Sequence, residues 1–154
     1  MVAYSFQRQF IEPIQMGIRD PFADGAKLQT IRAHRKRHAR AGEMLQLYIG
    51  MRTKNCMKIV PDQECEDVFN IRFEVAKSGI KDIYIGLSEP RYELPKIDEF
   101  AQADGFSDAD AMRDFWLASH GEGLFEGVLV TWFPEAFLAA RHERSVKALK
   151  GNAA

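Results

Sequence analysis

Phe69–Val75 reads FNIRFEV. Phe69, Ile71, Phe73 and Val75 alternate with Asn70, Arg72 and Glu74. A period of two marks a strand with one buried and one wet face. Working toward the N-terminus, Glu43–Gly50 (EMLQLYIG) repeats the pattern: Leu45, Leu47 and Ile49 share one face, and Met44, Gln46 and Tyr48 share the other. Cys56–Val60 extends the sheet before a turn at Pro61-Asp62, and Ala3–Phe6 makes a short first strand. Toward the C-terminus, Ser78-Gly79 turns the chain into a strand over Lys81–Leu87, which Glu89-Pro90 breaks. Leu124–Phe133 is almost continuously apolar, as expected of a central strand covered on both faces, and Pro134 ends it.

Helical spacing is confined to a few stretches. Phe10, Ile11 and Ile14 fit one turn and a half, with Pro13 tolerated in the first turn and Gly17 as the stop. Ile97–Ala103 reads as a short helix ending near Asp104-Gly105. Ser107 and Asp110 resemble a capping box opening another helix, whose stripe of Met112, Phe115 and Trp116 reads as core. Glu135–Lys150 also fits a helix. Strands outnumber helices, and short strands punctuated by turns suggest an α+β fold: a small barrel with helices outside it. Leu45, Leu47, Ile71 and Phe73 should face its interior.

The chain has 154 residues, enough for one domain with a real core. We place that domain at residues 1–133 and a helical tail at 134–154. Apolar residues make up 46%, which argues for folding over disorder. The net charge of −1 carries no global sign of a nucleic-acid binder. Distribution matters more: five Lys or Arg fall between Arg32 and Arg40, while acids gather in Asp62–Glu74 and Asp98–Asp114. A basic groove on a neutral protein is compatible with that asymmetry. Cys56 and Cys65 show no metal or redox spacing and read as reduced thiols. No signal peptide or membrane-length apolar run is visible, so a soluble cytoplasmic protein is expected.

The chemistry concentrates in Gly25–Arg40, GAKLQTIRAHRKRHAR. Leu28–Ala33 reads as a strand on which Thr30 and Arg32 share a face while Ile31 points away. Lys27 has the wrong parity and must sit in the turn entering the strand if the three converge. His34–Gly42 follows as a charged loop. Tyr48, Arg52 and Lys54 place a ring and two cations within seven residues, the pairing that stacks bases and holds phosphates. Arg35, Lys36, Arg37 and Arg40 would lengthen that track. The histidines have no visible acid–base partner. Phosphate-binding loops, dinucleotide fingerprints and nucleophile elbows are absent.

Phe10, then Gly25-Ala26-Lys27-Leu28-Gln29-Thr30-Ile31-Arg32, Ala41-Gly42-Glu43 and Leu47-Tyr48 together resemble the ASCH domain family. The likeness extends through Asp104–Trp116 and Phe125–Trp132, covering most of residues 4 to 133. It implies a PUA-like β-barrel with a cleft for RNA, a nucleotide or a modified nucleoside. Family members include nucleic-acid binders, single-strand ribonucleases and amidohydrolases that deacylate cytidine. In the amidohydrolases a lysine and a threonine of the motif act with a later glutamate. Here these positions are Lys27 and Thr30, and the acid falls at Asp104, one methylene shorter, with Glu99 in reserve.

Three functions follow as expectations. The first is RNA or single-stranded nucleic-acid binding in a basic cleft, with ribonuclease activity as an extension. The second is amidohydrolysis of N4-acetylcytidine-type nucleosides. The third is RNA recognition without catalysis. Amide hydrolysis would use Thr30 as nucleophile, Lys27 of lowered pKa as base, Arg32 or backbone N–H groups at the oxyanion, and Asp104 to orient Lys27 or protonate the leaving amine. No metal site is visible and no cofactor is required; Mg²⁺ would enter only if RNA is cleaved.

Overall fold

The computed structural model describes residues 1–86 and 96–133. In chain order these form β1 (Val2–Phe6), a 3₁₀ turn (Arg8–Phe10), α1 (Ile11–Arg19), β2 (Gln29–Ala33), β3 (Met44–Ile49), β4 (Met57–Lys58), β5 (Gln63–Glu64), β6 (Asp67–Ala76), β7 (Gly79–Ile85), α2 (Lys96–Ala103), α3 (Ala109–Ser119) and β8 (Gly123–Thr131). The mixed α+β composition matches the sequence reading. The expected helix over Glu135–Lys150, the tail at 134–154, Leu87 and the break at Glu89-Pro90 lie outside the described residues.

The strands pair into two four-stranded sheets. In the first, β3 takes β1 in parallel on one edge, Tyr4 opposite Leu47, and the short β4 and β5 antiparallel on the other. The second is fully antiparallel, in the order β2-β8-β6-β7. Among the described residues the pairing does not close into one continuous barrel. At the seam between edge strands β1 and β2 the physical reason is visible. Arg32 Nη2 donates to the Ser5 carbonyl at 2.7 Å and Arg35 Nη2 to the Ala3 carbonyl at 3.3 Å. Guanidinium groups, rather than a neighbouring strand's amides, satisfy those carbonyls.

Alternation places the core as the sequence indicates. Leu45, Leu47, Ile71 and Phe73 are all buried. The β6–β7 hairpin turns at the expected place, and β8 lies between β2 and β6; it is covered on both faces only from Gly127 onward, since Leu124 and Glu126 in its first half are exposed, contrary to the sequence reading. Met112 and Trp116 anchor α3, and Trp116 meets Phe73 edge-on with ring centroids 5.0 Å apart. Such aromatic pairs are worth ~0.5–1.5 kcal/mol beyond the area they bury. Both cysteines are free, as read; Cys65 is buried, and burial pushes its thiol up to about 11.

Two helix boundaries differ from the sequence reading. Gly17 does not stop α1 but lies within it. A Cβ there would come within 2.5 Å of the Lys27 carbonyl oxygen, so this glycine exists to let helix and chain touch. Ser107 does not cap α3 either. Asp108 does, its carboxylate accepting from the Ala111 N–H at 2.8 Å.

Candidate functional site

Lys27 is locked by backbone before its side chain is considered. Its N–H donates to the Pro13 carbonyl at 2.9 Å, and the Leu28 N–H donates to the Ala103 carbonyl at 2.8 Å. The segment entering β2 is thus clamped between α1 and the end of α2. Asp104 is held by the way α2 ends. Gly105 has φ +96, its N–H donates to Gln102 and the Phe106 N–H donates back to Ala101. Those paired bonds around a left-handed glycine are a Schellman cap, with Asp104 as the last residue inside it. A side chain at Gly105 would also press on the Lys27 stem, 3.0 Å from its Cδ.

Lys27 and Asp104 meet in this enclosure. Lys27 Nζ lies 3.3 Å from Asp104 Oδ1, with both side chains at most 5% exposed. Nζ also donates to the Asp104 backbone carbonyl, capping one of the open carbonyls of α2. The ammonium sits 4.6 Å above the Phe10 ring. Burial pushes Lys27 down from the usual lysine range; Asp104 pulls it back and Arg32 lowers it further. Burial pushes the Asp104 carboxyl up, against the opposing pull of Lys27 and Arg32 and a weak contact from the Gln29 amide. Both groups are therefore driven toward their neutral forms. The carbonyl end of α2 acts in the same direction on Asp104.

Thr30 and Arg32 share a face of β2 as expected, and Arg32 Nε donates to Thr30 Oγ1 at 3.1 Å. That bond leaves the threonine proton available to a base. Burial and neighbouring Arg35 bring Arg32 down to about 10, still a cation at neutral pH. Lys27, Thr30, Arg32 and Asp104 all line one cavity of about 180 Å³. Phe6, Phe10, Phe106, Phe115 and Trp116 form much of its wall.

The other expected residues are distributed differently. Tyr48 is half-buried on β3, with Lys58 Nζ 5.8 Å from its ring, and does not line the cavity. Arg52 and Lys54 are exposed in the turn after β3. That turn borders a groove containing Thr53, Asn55, Gln7 and Phe6, and the last two residues also line the cavity. Arg37 is engaged by the Glu43 carboxylate, and the Arg40 N–H donates to the same side chain. Lys36 is exposed, and Arg35 packs 4.5 Å over Tyr4. Glu99 is exposed on α2, so Asp104 is the acid at the cavity. His38 is bonded to Tyr4 Oη and the Ala33 carbonyl, and burial, more than the nearby cations, lowers its pKa. Among the described residues no cluster of three or more His, Cys, Asp or Glu side chains is gathered, and no helix is long and apolar enough to cross a membrane.

The sequence reading missed three features of the site. Phe6 read only as the end of the first strand, and Phe10 as a helical position and part of the family-like run, yet both line the cavity. Phe115 and Trp116, assigned to the helix stripe, serve the core and the cavity together. Gln29 is fully buried next to Asp104, and beyond that weak contact neither amide atom makes a well-formed hydrogen bond. Helical and strand periods report burial and cannot distinguish a packed wall from a cavity wall. No protein-family profile, no curated protein and no solved structure matches this chain.

Proposed function

We propose that the chain is an ASCH-type, PUA-like hydrolase that cleaves the amide of an N4-acylated cytosine ring held in the Lys27–Asp104 cavity. One observation carries the reading: Lys27, Thr30, Arg32 and Asp104 converge on one small, aromatic-walled space. Pockets for drug-sized ligands usually measure about 300–1,000 Å³. A cavity of about 180 Å³ suits one flat ring or an acyl group.

The chemistry can be written on these atoms. Thr30 Oγ1 attacks the acyl carbon, and its proton passes to neutral Lys27 Nζ. The oxyanion takes N–H bonds from Arg32. As the tetrahedral centre collapses, the C–N bond breaks and the ring amine takes a proton from Lys27, or from neutral Asp104, which Lys27 then reprotonates. Water next hydrolyses the threonine ester: neutral Lys27 accepts a proton from the water and returns it to Thr30 Oγ1 as the acid leaves. A lysine lowered from its usual pKa and an aspartic acid raised above its own are shifted in the directions this sequence needs.

The test is incubation of purified protein with N4-acetylcytidine, following release of cytidine and acetate. Turnover lost in Thr30→Ala is expected. No turnover by the wild-type protein overturns the reading.

A second reading, single-stranded RNA binding with or without cleavage, is favoured by one observation. The groove beside the Arg52–Lys54 turn shares Phe6 and Gln7 with the cavity wall. A labelled single strand, with and without Mg²⁺, discriminates: saturable binding or cleavage without deacetylation favours it.

A further inference from the structure

Arg32 lines the cavity and Arg35, which does not, is its neighbour over the Tyr4 ring; both have much of their bonding capacity unspent. They dock on alternate carbonyls of β1, Ser5 and Ala3. Two residues along a strand span about 6.8 Å, so the guanidinium groups are offset by roughly that distance. The buried Tyr4 ring fixes the pair, with Arg32 Cζ 5.4 Å and Arg35 Cζ 4.5 Å from its centroid. Arg32 spends two donors, on Thr30 and Ser5, and Arg35 spends two, on Arg37 and Ala3. A guanidinium carries five donors, so three remain on each. Neither enters an ion pair among the described residues. Two adjacent cations, one of them largely buried, are held close enough for Arg35 to depress Arg32. Holding like charges together costs free energy that an anion would relieve.

We propose that Arg32 and Arg35 form a phosphate clamp at the mouth of the cavity, so that the site takes a nucleotide: base in the aromatic pocket, phosphate between the two guanidiniums. The substrate-class assignment rests on the nucleobase reading above. Phosphate oxygens accept from guanidinium N–H groups at about 2.7–2.9 Å, and a tetrahedral phosphate bridges two forks offset by this distance. Arg32 faces both ways: its Nε bond orients Thr30, and its remaining N–H groups are available to oxyanion and phosphate. Arg35 takes no part in the acyl chemistry and belongs to the clamp alone. The phosphate is either the monoester of a free nucleotide or a diester within a strand.

The test uses binding, so it does not depend on turnover. The arginine Nε–H and tryptophan indole NMR signals of the full chain are followed during titration with inorganic phosphate, cytidine, cytidine 5′-monophosphate and the trinucleotide CpCpC. Phosphate should shift Arg32 and Arg35 saturably. The monophosphate should bind about tenfold more tightly than cytidine, as a charge-assisted contact does. Arg35→Gln should abolish that advantage, and Arg35→Lys should keep part of it. Tighter binding of CpCpC than of the monophosphate would assign the phosphate to a strand; the reverse would assign it to a free nucleotide. Absence of saturable arginine shifts with phosphate, or an undiminished advantage in Arg35→Gln, overturns the clamp. Arginine shifts with no Trp116 response to any cytosine ligand overturn the nucleotide assignment and the nucleobase reading, but not the clamp.

Discussion

Removing one member of the Lys27–Asp104 pair should be far worse than removing both. Lys27→Met keeps most of the stem packed against Phe10 and Gly105 but deletes the ammonium. It leaves a carboxyl group at 5% exposure and an uncapped carbonyl at the end of α2. Leaving either buried group without its partner costs about 1–3 kcal/mol, and more where it is charged. Asp104→Leu strands the Lys27 amine against a carbonyl and a phenyl ring, with a cost in the same range. In the double variant neither titratable group remains, and the main loss is the bond to the Asp104 carbonyl, ~0.5–1.5 kcal/mol. The single costs therefore sum to well above the double, with a coupling energy of about 0.5–3 kcal/mol in a domain whose total stability is about 5–15 kcal/mol. Urea denaturation of the four proteins, with unchanged m-values, measures the cycle. Additive costs, or a double variant less stable than either single one, would refute the claim that the two groups are coupled in a dry enclosure.

Three further outcomes follow from the same geometry. Gly17→Ala should destabilise by ~1–3 kcal/mol through overpacking on the Lys27 carbonyl, measured by the same denaturation; a neutral effect would mean that α1 does not fix Lys27. Phe73→Ala should cost about 3–5 kcal/mol, because its ring joins Trp116 and Phe125 in the core; thermal unfolding of that variant checks it. The third concerns pH. Asp104 is raised above its ordinary value of 3.8, so between that value and its raised pKa the folded chain binds the extra proton and stability falls as pH rises. Stability of the wild type relative to Asp104→Asn should thus decline as pH increases above 3.8. Urea midpoints for both proteins across that range test the sign, and a rise with pH would contradict it.

Much of the sheet was legible because strand period reports burial directly. FNIRFEV and EMLQLYIG announced β6 and β3, and both lie with the expected side chains inside. The seam between β1 and β2 was not legible, since it depends on Arg32 and Arg35 reaching backbone carbonyls far away in sequence. Gly17 was misread for a related reason. Its role is a tertiary contact with Lys27, while local rules see only a helix breaker. At the site, Lys27, Thr30 and Arg32 could be grouped from spacing and parity within one short stretch. Asp104 needed the resemblance, although Asp104-Gly105 after an amphipathic helix signals a capped end that holds its acid in place. The aromatic wall was hidden because core and cavity residues share one period. The basic-loop track was read from composition, which does not show that Glu43 already engages Arg37.

The measurement that bears most directly on the central claim is the rate of N4-acetylcytidine deacetylation by wild type and by Lys27→Arg, with folding of the variant checked by denaturation. Arginine keeps the cation but stays protonated and cannot accept the threonine proton. Loss of a positioned base lowers rates by about 10²–10⁴-fold, and a loss of that size in Lys27→Arg is the predicted result. Equal rates for the two proteins would contradict the account and leave Lys27 as a structural cap on α2.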